Sequence, residues 1–289
     1  MQDYLIRGTA MNGKVRAFAA YSKHLVAELQ QRHDTWSTAT AALGRAATIG
    51  SMLGFMLKGE EKLTIQVKGN GPIGQIVVDA NAKGEVRGYV DNPAVQLPKN
   101  EIGKIDVRGA VGTEGQIYVI KDLGMKEPYR GSSPIISGEI SEDFTYYFAV
   151  SEQTPSAVAS GVLVGKGDEL LTAGGFIIQL LPGLTDDEIS EIEKEISELY
   201  TVTKYLEEGM AIEDVLRKVI PSFTELERIP LRFQCQCSEE RVERTLISLG
   251  KEELSQILEE DGQAEIVCHF CNEKYLFNGA KLQQIMASM

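Results

Sequence analysis

Residues 37–57 read Ser37-Thr-Ala-Thr-Ala-Ala-Leu-Gly-Arg-Ala-Ala-Thr-Ile-Gly-Ser-Met-Leu-Gly-Phe-Met-Leu57, and Arg45 is their single charge. The polar cluster Asp34–Ser37 supplies a helix start, so the pattern predicts a helix running to about Leu57. A helix that is apolar on nearly every face has to be covered on nearly every face. Its alanines and glycines allow flanking sheets to approach closely. The expected fold class is therefore α+β, with a mixed α/β body in which β-sheets pack around a buried helix.

Working outward, residues 12–33 show a plausible helical stripe of Val15, Phe18, Ala19, Leu25, Val26 and Leu29. Beyond Lys58 the pattern changes to strands: Leu63–Val67 alternates, Ile76–Asp79 follows a turn, and Asn81–Gly84 reads as a hairpin into Val86–Val90. Further strands are expected at 116–120, 133–139 and 144–150. Thr172–Leu181 looks like a buried strand stopped by Pro182-Gly183. Ser151–Ser156 reads as a strand-to-helix junction with a capping hydroxyl and Pro155 in the first turn.

One string in this region resembles a functional motif. Gly69-Asn-Gly-Pro-Ile-Gly74 matches G-x-G-x-x-G, but a strand follows it and no helix N-terminus would face a phosphate, so a nucleotide site is not expected. His24 and His33 stand in helical surroundings without a convincing acid–base partner. No nucleophile–base–orienter set emerges, and no enzyme activity is expected.

The chain has 289 residues and a formal net charge of −13. Residues 1–185 carry 18 Lys+Arg against 19 Asp+Glu, whereas residues 186–289 carry 11 against 23. All four cysteines fall in that acidic last third. The longest uncharged run, Leu170–Thr185, is broken by Gly174-Gly175 and Pro182-Gly183 and is shorter than the roughly 20 apolar residues of a membrane span. Met1-Gln2-Asp3-Tyr4 lacks the basic and apolar regions of a signal peptide, so a cytoplasmic chain is expected. There, clustered cysteines more often mean metal or redox chemistry than structural disulfides. The acidic balance argues against nucleic acid as a partner.

Asp186-Asp187-Glu188 opens a helix with acids at its positive end. Ile189, Ile192, Ile196, Leu199, Val202 and Leu206 recur at spacings of three and four, and Gly209 breaks the pattern. Ile212, Val215, Leu216, Val219 and Ile220 make a second short amphipathic helix before Pro221. Two readings are open for this connector: a permanently packed arm, or one that detaches when its neighbour unfolds.

The cysteines form Cys235-Gln236-Cys237, then 30 residues, then Cys268-His269-Phe270-Cys271. Two close pairs separated by a longer segment place four thiolates around one zinc ion. The region 231–289 is also small for a core of its own. A thioredoxin-like C-x-x-C would open a helix, but the residues after Cys271 look extended. A constitutive zinc ribbon and a thiol–disulfide oxidoreductase remain alternatives. His269 reads as a bystander between ligands. The C-x-C pair closes a very small, strained disulfide ring, which is relatively oxidising. Oxidation of both pairs would eject the metal, which is a redox switch in outline.

These residues together resemble the 33-kDa heat-shock chaperone family (heat-shock protein 33). The resemblance runs through His33, Ala41-Ala-Leu-Gly-Arg45, Gly69-Asn-Gly-Pro72, Val86-Arg-Gly-Tyr-Val90, Ser151-Glu-Gln153, Ala173-Gly-Gly-Phe176, Gln179-Leu-Leu-Pro182 and both cysteine pairs. It implies a chaperone body over 1–185, a helical linker over 186–230 and a zinc-binding redox-switch domain over 231–289. It implies one Zn2+ per reduced chain, held by Cys235, Cys237, Cys268 and Cys271, with chaperone activity off. On oxidation it implies disulfides Cys235–Cys237 and Cys268–Cys271, loss of zinc, and unfolding of the zinc domain and linker. The implied partners are unfolding client proteins and a second copy in an active homodimer, without ATP, nucleic acid or membrane. Among the two connector readings, the resemblance favours the one that detaches.

Overall fold

The computed structural model describes residues 2–199 and 201–289. Met1 and Tyr200 lie outside the described residues, and with them that part of the N-terminal and connector readings. The chain divides into two compact units, Met1–Gln234 and Cys235–Met289.

The first unit is α+β. In chain order it contains β1 (Tyr4–Ala10), β2 (Val15–Tyr21), α1 (Lys23–His33), α2 (Ser37–Phe55), β3 (Lys62–Gly69), β4 (Gln75–Asn81), β5 (Glu85–Val90) and α3 (Val107–Val111). There follow β6 (Gly115–Asp122), β7 (Tyr129–Pro134), α4 (Ser141–Val150), β8 (Ser156–Val164), β9 (Leu170–Leu180), α5 (Asp186–Glu198), α6 (Val202–Glu207), α7 (Ile212–Val219), β10 (Thr224–Pro230) and β11 (Arg232–Phe233). One sheet has the order β10-β1-β2-β9-β8, the other β11-β5-β4-β3-β6-β7. Neighbours are antiparallel except β11 and β5.

Helix α2 is the axis of this unit. Every residue of Ser37–Phe55 except Arg45 is buried, and Arg45 donates to the Glu139 carboxylate at 2.6 Å. The helix packs against strands of both sheets, within one core that includes Leu43, Ile49, Ile65, Val78, Val119, Phe144 and Ile177. Glycine makes the close approach possible. A Cβ on Gly44 would stand 2.7 Å from a methyl of Val26 and 2.8 Å from one of Val162.

On the other face of the five-stranded sheet, Ile6, Val15, Ala17, Ala19, Phe176 and Ile178 meet Ile192, Val202, Leu206, Ile212, Val215, Leu216 and Val219 of α5–α7. Thr185 caps α5 in a reciprocal box with Glu188. Gly209, at φ +87°, ends the α6 segment in the left-handed region that glycine tolerates. Helix α7 is fastened by polar contacts as well. Tyr4 Oη donates to Glu213 Oε2 at 2.6 Å, and Arg228 of β10 donates to Glu213 Oε1 at 2.7 Å while stacking over the Tyr4 ring. Burial works to raise the Glu213 carboxyl, but the Tyr4 and Arg228 hydrogen bonds together outweigh it and hold it below the usual range.

Several sequence expectations are corrected. The first half of 12–33 is strand β2: its run Ala17–Ala20 is buried on both faces, so the apolar residues there do not alternate. Residues 144–150 belong to helix α4; its Phe144, Tyr147 and Phe148 are buried at i, i+3 and i+4 despite a strand-like composition. The expected strand 133–139 ends at Pro134, and the following loop gathers the N–H groups of Ile136, Ser137, Gly138 and Ile140 on the Asp143 carboxylate. Ser151–Ser156 therefore joins a helix to a strand, the reverse of the expected junction. As the G-x-G-x-x-G reading required, a strand follows Gly74.

The second unit holds α8 (Glu239–Leu249), α9 (Lys251–Glu260), β12 (Gln263–Val267), β13 (Lys274–Asn278) and α10 (Gly279–Ser288). Its buried apolar cluster is Leu246, Leu254, Ala264, Phe277, Leu282 and Ile285. Ser238 caps α8 and Asn278 caps α10.

Candidate metal centre

The four cysteines reach one place by two different routes. Cys235 and Cys237 lie in an extended segment that Ser238 turns into α8; the Gln236 carbonyl between them accepts from Arg241. Cys268 and Cys271 lie in the turn that joins β12 to β13, whose register runs Val267↔Lys274 to Gln263↔Asn278. In that turn the Cys268 carbonyl accepts from the N–H groups of Cys271 and Asn272, and the Cys268 N–H donates to Glu273 O. Asn272 takes the left-handed conformation, φ +56°, that folds the chain back.

All four Sγ atoms lie within 4.8 Å of one another. Cys235 and Cys268 are 3.8 Å apart, Cys237 and Cys271 3.2 Å. A tetrahedral Zn–S4 centre with its usual bond length has edges of about 3.8 Å, so the set is close to the right size. Cys271 is buried and the other three are half-buried. Burial pushes the thiols of Cys237 and Cys271 above their ordinary range. Four sulfurs so close would not carry their charges together without a cation, and a dication in their midst inverts that preference. The group can hold a metal ion, and its all-sulfur donor set suits zinc. His269 occupies the same turn, but the four-atom cluster is made by the sulfurs.

Tyr275 escaped the sequence reading. From β13 its hydroxyl donates to Cys237 Sγ at 3.1 Å, and this bond holds the phenol above its ordinary range. The available signal was its position four residues after Cys271, in a stretch read as extended.

Among the described residues, no helix is long and apolar enough to cross a membrane. Residues 3–278 match the family model described as Hsp33 protein. The 33 kDa chaperonin of Bacillus cytotoxicus is 52% identical over the full length of both chains. That of Bacillus subtilis is 54% identical over 97% of each. The crystal structure of the 33 kDa chaperonin (heat shock protein 33 homolog) of Thermotoga maritima superposes with a TM-score of 0.94 at 37% identity, covering 100% of this chain and 99% of that one. With matches from end to end in sequence and in fold, this chain belongs to the Hsp33 family of chaperones.

Proposed function

We propose that this chaperone is a redox-regulated, ATP-independent holdase that binds unfolding or oxidatively damaged proteins in the cytoplasm and keeps them from aggregating. The observation that carries the reading is the meeting of two distant cysteine pairs in one cluster of four thiols, inside a unit with only a small apolar core. In the reduced, inactive form Cys235, Cys237, Cys268 and Cys271 hold one Zn2+, which supplies charge neutralisation and cross-linking to the fold. The domains in this reading are the body 1–185, the linker 186–230 and the switch domain 231–289.

Oxidation forms disulfides Cys235–Cys237 and Cys268–Cys271. Each S–S bond removes two electrons from two thiolates and reduces one hydrogen peroxide to two hydroxides. Four thiolates thus consume two peroxides, leaving no anionic sulfur to retain an ion. The domain then loses its cross-link, the amphipathic connector detaches, and apolar surface is exposed to clients. The active form is a homodimer.

The test is zinc stoichiometry and free-thiol count before and after peroxide with mild warming, alongside far-ultraviolet circular dichroism and light scattering of an aggregating client. One zinc and four thiols lost together with helicity, as aggregation is suppressed, is the expected result. Retention of zinc and helicity would mark a constitutive zinc module. Dithiol-coupled turnover abolished by Cys271→Ser would mark an oxidoreductase.

A further inference from the structure

We propose that Tyr275 is a positioning residue of the cysteine cluster, and that its hydroxyl restrains the reaction of Cys237 with hydroperoxides. This inference rests on the metal-centre reading above and deepens it. The geometry is specific. Tyr275 sits on β13 opposite Ile266, at the start of the strand that leaves the Cys268–Cys271 turn. Its side chain is half-buried against the apolar cluster that includes Phe277 and Leu282. That hydroxyl donates to Cys237 Sγ at 3.1 Å.

A hydrogen bond donated to an anionic sulfur engages the lone-pair density that would attack an oxidant. In the first oxidation step a Cys237 electron pair forms the S–O bond as the peroxide O–O bond breaks, giving a sulfenic acid and hydroxide. The Cys235 thiolate then attacks that sulfur, forming the S–S bond and releasing a second hydroxide. The donor from Tyr275 has to be given up, or weakened, in the first of these steps. The side chain also tells the two cysteine pairs apart, since it comes from the hairpin of one pair and acts on a sulfur of the other.

The Tyr275→Phe variant of the full-length chain keeps the ring and removes the donor. Roughly half of a change in thiolate stability reaches the transition state of attack, so losing one charge-assisted hydrogen bond corresponds to an increase of about threefold to tenfold in the Cys237 oxidation rate. Site-resolved mass spectrometry after timed peroxide exposure reads that rate, with Cys268 as the internal comparison. Cobalt(II) loaded in place of zinc gives a second readout, because removing the donor moves the sulfur-to-cobalt charge-transfer band to lower energy. A faster Cys237 reaction with a shifted band, at unchanged metal stoichiometry and melting temperature, is the expected result. Wild-type rate and band position in Tyr275→Phe overturn the inference while leaving the metal centre intact. A uniform acceleration at all four cysteines with a lower melting temperature shows a structural role instead, and also overturns it. Failure of the wild-type chain to bind zinc or cobalt brings down the metal-centre reading itself, and this inference with it.

Discussion

The two units of the molecule solve the same problem with different means. In Met1–Gln234 a helix buried along almost its whole length is enclosed by two sheets, and a second apolar layer joins the outer sheet face to α5–α7. In Cys235–Met289 the buried apolar cluster is six residues, and the sulfur cluster ties the segment before α8 to the β12–β13 turn. Burial scales with size, so a small unit cannot collect enough apolar area to offset the entropy of ordering its chain. The first unit is stable through contacts spread over many residues. In the proposed reading, the second draws its stability from a few sulfur atoms whose chemistry can be changed.

The sharpest way to break this contrast is to remove the metal. A strong chelator, with the thiols kept reduced, should abolish the cooperative transition of Cys235–Met289 and leave that of the body, residues 1–185, in place. A structural zinc site contributes about 10–16 kcal/mol in small domains. Hydrogen exchange resolved by segment would measure it, and persistent protection of β12 and β13 without metal would show that the small core suffices.

Packing changes should come next in size and fall on one unit at a time. Phe277→Ala removes the largest ring of the small core at a cost of about 3–5 kcal/mol, and should lower zinc affinity together with stability. Gly44→Val forces a branched side chain against Val26 and Val162, at about 1–3 kcal/mol. It should depress the melting temperature of the first unit while zinc stoichiometry stays at the wild-type value. A shared response to both substitutions would mean that the two units melt as one.

The smallest effect concerns α7. Tyr4→Phe removes the hydroxyl bonded to Glu213 and should weaken helix docking by about 1 kcal/mol. The Glu213 carboxyl is held below its ordinary range, so its contribution is complete above the unfolded carboxylate range and is lost as the pH falls through the lower folded value. Wild-type α7 should therefore loosen on acidification. Glu213→Gln should flatten that dependence, as followed by amide exchange across Ile212–Val219.

The same division explains what could be read from the sequence. The cysteine cluster was legible because its spacing is a local statement about four ligands, and the buried helix was legible because Ser37–Phe55 has almost no polar face to misread. Strand β2 was not, since Ala17–Ala20 is buried on both sides and loses the alternation that marks a half-exposed strand. Helix α4 was hidden by its Phe, Thr and Tyr residues, whose strand preference was overridden by the i, i+3, i+4 burial of Phe144, Tyr147 and Phe148. Tyr275 could not be assigned because its partner is Cys237, nearly forty positions away, and no local pattern encodes that distance.

The strand order has a further consequence. Both β9 and β10 belong to the five-stranded sheet, so residues 181–223, with α5, α6 and α7, are anchored at their two ends in one sheet. If these helices lift off, they form a closed loop rather than a loose tail. The entropy of closing such a loop, about 3 kcal/mol, has already been met by the sheet. Rebinding is then a unimolecular event at a high effective concentration, indifferent to dilution. Re-docking of these helices within a chain should therefore keep its own clock, separate from any step that joins or parts two chains.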